Sequence, residues 1–205
     1  MKKKSTNTSE WTIARTLPYI LIIGGAIGAF ASAILTHELL TILKNPQYIP
    51  VCNLSPILSC SSVTTSAQAS AFGFPNEFLG LIGFGIVGTI GAGMLAGAKY
   101  ARWFWKLTSA GLAFAVVFLT WLQYQTLYSI GALCLFCMIV WIVTIPMFWY
   151  TLLYNLKQGN IDVPKRWQKA SNFAQKHHGD VMIAWFLIIF FQILERFWYY
   201  WSSLI

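Results

Sequence analysis

Cysteine is the residue type in this chain best suited to moving electrons, and the four present fall into two pairs: Cys52 with Cys60, and Cys134 with Cys137 in the run Cys134-Leu135-Phe136-Cys137. Residues three apart on a helix share a face, with β-carbons about 5 to 6 Å apart, so a CxxC can cycle between dithiol and disulfide with modest adjustment. At a helix amino terminus the unpaired amides and the dipole stabilise the thiolate, which is the attacking species in thiol exchange. Ser129 or Gly131 is placed to begin such a helix, leaving Cys134 in its first turn. No metal site is expected, because the seven residues between Cys52 and Cys60 exceed the two-to-four spacing of a zinc pair. Two structural bridges, or packed core thiols, are the alternative at this point.

The elements that must hold these cysteines are membrane helices. Of 205 residues, 57% are hydrophobic, 17% aromatic and only 10% charged, more apolar surface than a soluble domain of this size hides from water. Five stretches approach or exceed the roughly 20 residues that span a bilayer: Pro18 to Leu43, Phe78 to Ala98, Phe104 to Tyr124, Ala132 to Leu153 and Val181 to Trp201. The expected fold class is therefore an all-α integral membrane protein. A net charge of +8 raises the question of nucleic acid, but the basic residues are sorted between alternate connections, which is an orientation signal. Lys2 to Lys4 and Arg15, then Lys99, Arg102 and Lys106, then Lys157, Lys165, Arg166, Lys169 and Lys176 mark cytoplasmic segments. The amino terminus is then inside, the carboxyl terminus outside, and all four cysteines lie at or near the outer face, in a multi-pass protein of the plasma (inner) membrane.

The chain divides on this basis into a basic tail (1–17), a four-helix bundle (18–154) carrying an extracytoplasmic loop (44–76), a cytoplasmic connector (155–180) and a fifth span (181–205). Within the loop, Ser61 to Ala71 reads as a short surface helix acting as a lid. The glycines of the second span, from Gly80 to Gly93, suit close helix packing. Residues Ile161 to Gly179 read as an interfacial amphipathic helix with Pro164 in its first turn, and His177 and His178 as solvated surface residues. Lys2 to Lys4, an apolar run and Ala31-Ser32-Ala33 imitate a cleaved signal peptide, but apolar character continues to Leu43, which favours a retained helix. His37 and Glu38 near the outer end of the first span read as interfacial polarity or a proton relay, and Glu195 and Arg196 must pair or snorkel. A disulfide-forming pair at the edge of an apolar bundle needs a second redox partner. Without a haem, iron–sulfur or dinucleotide fingerprint, a lipid-soluble quinone fits, with Trp141 one turn beyond Cys137 as a wall of its site or as part of the aromatic belt.

Three segments resemble the vitamin K epoxide reductase family, including bacterial members that support disulfide formation outside the cytoplasm. They are C-N-L-S-P-I-L-S-C-S-S-V from Cys52, Phe72-Gly73 leading to Asn76-Glu77-Phe78-Leu79-Gly80, and Cys134-Leu135-Phe136-Cys137. The resemblance implies a four-helix bundle around a quinone, ubiquinone or menaquinone, plus one extra helix. It assigns Cys137 to the quinone, Cys134 as its resolving partner in exchange with Cys60, and Cys52 as the acceptor of electrons from an external thioredoxin-like protein. Asn76 takes the position of a hydrogen-bond donor to the quinone carbonyl, and Ser66 that of a loop hydroxyl; a helix cap and an ordinary loop hydroxyl are the plainer readings of these two. Animal members carry tyrosine where Trp141 stands, which favours quinone reduction over epoxide reduction. Some bacterial members continue into a thioredoxin-like domain that this sequence does not contain, so a separate soluble partner is expected. The rival class is a non-enzymatic membrane scaffold or channel locked by structural disulfides.

Overall fold

The computed structural model describes residues 8–202, so the basic run Lys2 to Lys4 lies outside the described residues. The order of the principal helices is α1 (Thr8–Lys44), α2 (Cys60–Thr64), α3 (Asn76–Leu95), α4 (Arg102–Gln125), α5 (Leu135–Lys157), α6 (Gln168–Lys176), α7 (His178–Arg196) and α8 (Trp198–Trp201). Five of these, α1, α3, α4, α5 and α7, are long and apolar enough to cross a membrane. The five expected spans are all present, with shifted ends. Helix α1 starts ten residues before Pro18, which it carries in its interior, and runs unbroken through Ala31-Ser32-Ala33. Helix α7 begins at His178 and breaks at Phe197, so Trp198–Trp201 is a separate turn rather than the end of the span.

Two expected helices are shorter than their sequence patterns. The lid divides into α2 and a single 3-10 turn, Ala67–Ser70, because local hydroxyls compete for the backbone: the Ser66 hydroxyl donates to the Val63 carbonyl at 2.7 Å. The connector reduces to α6 behind a 3-10 turn at Lys165–Trp167, with Pro164 preceding that turn. Trp167 and Phe173 remain exposed, as an interfacial segment requires. His177 lies at the surface, with Nδ1 2.8 Å from Asp180 Oδ2, whereas His178 is half-buried rather than solvated and lies edge-on to Tyr150.

Helices α1 and α3 pack backbone to backbone. A β-carbon at Gly25 would lie 2.8 Å from the Gly88 α-carbon, and one at Gly91 2.8 Å from the Pro18 carbonyl oxygen, closer than real β-carbons come. Gly85, by contrast, faces open space. Gly25→Ala is therefore expected to lower stability in detergent by about 1 to 3 kcal/mol, the cost of overpacking, whereas Gly85→Ala should be neutral or stabilising. Thermal unfolding of the two variants checks the contrast.

Polar contacts tie the remaining helices together. Buried Asn155 on α5 donates to Ser109 Oγ at 2.6 Å and to the Trp105 carbonyl at 3.3 Å, both on α4. Near the cysteine end, Gln123 of α4 donates to Gln192 of α7 at 2.9 Å, and Arg196 Nε to the Leu127 carbonyl at 2.8 Å. Arg196 is thus paired to backbone, while Glu195 is exposed.

Candidate functional site

The loop that follows α1 reaches the start of α5 through a short parallel bridge between Leu58 and Leu133. The Leu133 N–H donates to the Ile57 carbonyl at 2.7 Å, and the Ser59 N–H donates to the Leu133 carbonyl at 2.9 Å. Cys60 follows Ser59 and Cys134 follows Leu133, so the clip delivers one cysteine of each pair to the same place. Ser59 caps α2, its hydroxyl accepting the Ser62 N–H, which sets Cys60 as the first residue of that helix. Asn53 and Ser61, the residues just after Cys52 and Cys60, bond to each other twice, at 2.7 and 3.1 Å. The outcome is one buried cluster in which Leu35 of α1 and Cys52, Cys60 and Cys134 pack together, with Cys137 against its side. Cys52 and Cys60 form a disulfide; Cys134 and Cys137 are free thiols.

Cys134 is not in the first turn of the helix, as its sequence suggested, but caps it. A π-helical turn, Thr126–Ile130, extends α4, and Gly131 ends that turn at φ +71°, a left-handed conformation that glycine adopts without strain. Ala132 and Leu133 then run as the bridge, and α5 starts at Leu135 with the Cys134 sulfur accepting the Cys137 N–H at 3.4 Å. Neither Ser129 nor Gly131 begins α5. The cap position serves the thiolate better than a first-turn position, because the sulfur itself takes the place of the capping oxygen.

Hydrogen bonds from the Cys137 thiol and from the Phe136 and Cys137 amides outweigh burial and hold the Cys134 thiol below its ordinary pKa. A lowered pKa keeps the thiolate populated as pH falls, until pH passes through the lowered value. Removing the largest contribution with Cys137→Ala should therefore move the thiolate titration of Cys134 to higher pH, and Cys137→Ser, which keeps a donor, should move it less. Ultraviolet thiolate absorbance against pH reads the shift.

Beside the cluster, a cavity of about 610 Å³ opens between α1, α3, α4 and α5, lined almost entirely by apolar side chains. Of the four cysteines, only Cys137 lines it. Trp141, 4% exposed, lies one turn further along α5 and forms part of the wall, so it belongs to the buried cavity lining rather than an exposed belt. Ser66 and Asn76 line the same space. Asn76 does not cap α3, whose preceding residue is Pro75; its side-chain nitrogen donates to the Gln68 carbonyl at 2.8 Å, and its buried Oδ1 has no partner among the described residues. The Ser66 proton is committed to Val63, leaving its oxygen as an acceptor.

Two acids stand out that their local sequence leaves ambiguous. Glu77 follows Asn76 into the cavity wall, and its buried Oε2 also lacks a partner among the described residues. Glu38 is buried rather than interfacial; Tyr48 of the loop hydrogen-bonds it, and its Oε2 is again without a partner among the described residues. His37, its neighbour, is exposed. No group of three or more potential metal ligands is found among the described residues.

Of two comparisons with known proteins, one is negative: no curated protein matches the chain significantly. The family model described as the vitamin K epoxide reductase family matches residues 19–152, which takes in all four cysteines, the cavity-lining Asn76, Glu77 and Trp141, and most or all of each of the first four long helices. On that match the chain belongs to the vitamin K epoxide reductase family and is a multi-pass membrane oxidoreductase.

Proposed function

We propose that the chain is a quinone-dependent thiol oxidase that re-forms disulfides in a thioredoxin-like partner outside the cytoplasm. The observation that carries this is the division of labour among the cysteines: all four meet in one cluster, and one, Cys137, faces the apolar cavity. The cavity suits a quinone in volume and lining; the unpartnered Asn76 Oδ1 is an acceptor for a quinol hydroxyl, and Glu77 Oε2, when protonated, is a donor to a quinone carbonyl. Ubiquinone and menaquinone both fit these requirements. When bound, the quinone supplies a two-electron acceptor.

Electrons enter at the loop pair. A thiolate of the partner attacks Cys52, releasing Cys60 as a thiolate, and the partner's second cysteine then displaces Cys52, leaving both loop thiols reduced. Cys60 attacks Cys134 of an inner disulfide and Cys137 leaves; Cys52 then attacks Cys60, closing the loop disulfide and freeing Cys134. The arrangement with Cys52–Cys60 bridged and Cys134 and Cys137 free matches the end of this sequence, with two electrons held beside the cavity. Each exchange is set by small differences in potential, about 30 mV for 1.4 kcal/mol.

Access to Cys52 requires movement, since it is 2% exposed. Ile49, Val51 and Leu54 around it are exposed apolar side chains, a suitable surface for a partner to dock on before exchange. The sorting of most basic residues to the connections opposite the cysteines supports a site on the extracytoplasmic side, in keeping with a plasma-membrane protein.

The test supplies purified protein with a reduced thioredoxin-like protein and, in separate runs, a ubiquinone or a menaquinone. Quinone consumption equal to the partner disulfide formed is the expected result; no consumption with either quinone rejects the proposal.

A further inference from the structure

We propose that Glu77 is the proton carrier of the quinone cavity, an inference that rests on the quinone-dependent reading above. Among the described residues, the cavity lining holds two ionisable side chains, Cys137 and Glu77. Glu77 is the second residue of α3, placed where that helix meets the cavity, and its Oε2 is shielded from solvent without a hydrogen-bond partner among the described residues. Among the described residues, no basic side chain lines the cavity to neutralise it. The charged form of such a group is costly unless something in the cavity answers it.

Three of the cavity's hydroxyls are already committed. Ser66 donates to Val63, Thr108 to Phe104 and Thr144 to Val140, each to a backbone carbonyl. They do not offer their protons to a quinone, whose two carbonyl oxygens only accept hydrogen bonds, whereas a quinol's two hydroxyls donate. A carboxyl meets both states. Protonated, Glu77 donates to the quinone; ionised, it accepts from the quinol, alongside the unpartnered Asn76 Oδ1.

The balance closes with the Cys134 thiolate. The Cys134 thiolate and the Cys137 thiol are oxidised together: the Cys137 S–H bond breaks as the S–S bond forms, and two electrons pass to the quinone. One proton comes from the Cys137 thiol and one from the Glu77 carboxyl, giving quinol and leaving Glu77 ionised. The next pair of electrons enters as thiols, and one of the protons those thiols release returns to Glu77. Glu77 and Cys137 line the same cavity, and Cys134 caps the helix that carries Cys137, so both protons are drawn from one site.

Glu77→Gln preserves size and a hydrogen-bond donor but carries no exchangeable acidic proton. At saturating quinone its kcat is expected to fall about 100-fold, the usual scale for loss of a general acid, with KM for quinone little changed. Glu77→Asp, which keeps the carboxyl, should recover most of the rate. Thermal unfolding in detergent should match the wild type in both variants, which shows that the protein is folded. Glu77→Gln turning over as fast as wild type, while Cys137→Ala is inactive, overturns the proton-carrier role and leaves the quinone reading intact. Equal loss in Gln and Asp variants, or loss of quinone binding in place of kcat, makes Glu77 a structural residue and also overturns it. A wild-type protein that consumes no quinone rejects the underlying function itself.

Discussion

Cys137→Ala is expected to abolish quinone reduction, by on the order of 10⁴-fold or more, because it removes one half of a pair that acts as a unit. The loss is specific to one step. Cys137 is the cysteine that lines the cavity, and without it Cys134 has no partner with which to form the inner disulfide. The loop disulfide between Cys52 and Cys60 should remain intact and should still be reduced by a thioredoxin-like partner. Stopped-flow absorbance of the quinone, paired with thiol counting on the loop, separates the two events. Retained quinone turnover in this variant would mean that electrons reach the cavity without passing through Cys137.

The second large effect concerns the hand-over between pairs. In the double variant Cys52→Ala with Cys137→Ala, the two remaining cysteines, Cys60 and Cys134, are expected to form a disulfide nearly quantitatively under mild oxidation. Strands joined by ladder hydrogen bonds lie about 4.8 Å apart, and the bridge pairs Leu58 with Leu133, two residues before Cys60 and one before Cys134. A disulfide needs α-carbons within about 7 Å, and the two cysteines pack in the same buried cluster. Cleavage of the loop followed by electrophoresis without reductant would find its fragments still joined to α5. Adding Leu133→Pro removes the N–H that donates to Ile57 and should sharply lower the yield. Equal yield with and without that proline would show that the clip does not set the register.

The parts of this molecule legible in sequence are those encoded locally. Five runs of apolar residues are visible without any tertiary information, and so is the CxxC, because three-residue spacing alone brings two thiols together. Gly88 and Gly91 announced close packing correctly, although Gly83 and Gly85 in the same stripe face no neighbour; composition does not say which side of a helix meets its partner. The helix start at Cys134 was misplaced because the preceding residues leave α4 through a π-turn and a left-handed Gly131, and a bulge of that kind has no periodic signature. The lid's sequence pattern is that of one helix, whereas hydroxyl side chains divide it into α2 and a 3-10 turn. Glu77 was visible only as part of a family motif, since an acid near a helix start is usually a favourable partner of the dipole. Its meaning comes from the cavity that α4 and α5 close over it, which no neighbouring residue encodes. Glu38 is similar: it is buried, and its hydrogen-bond partner Tyr48 comes from the loop ten residues on.

The rival view, two disulfides that lock the outer face of a passive scaffold, requires both pairs to be bridged and inert. The inner pair is instead a free dithiol, with the thiolate of Cys134 favoured by its cap position and Cys137 set against an apolar cavity. A lock gains nothing from such an arrangement.

The most direct measurement takes protein with the loop disulfide intact and the inner pair reduced, mixes it with a quinone in the absence of oxygen, and maps the cysteines by mass spectrometry. One Cys134–Cys137 disulfide formed for each quinone reduced, with Cys52–Cys60 unchanged, is the expected result. Quinone reduced while Cys134 and Cys137 stay free, or no reduction at all, would contradict the inner pair as the quinone-coupled centre.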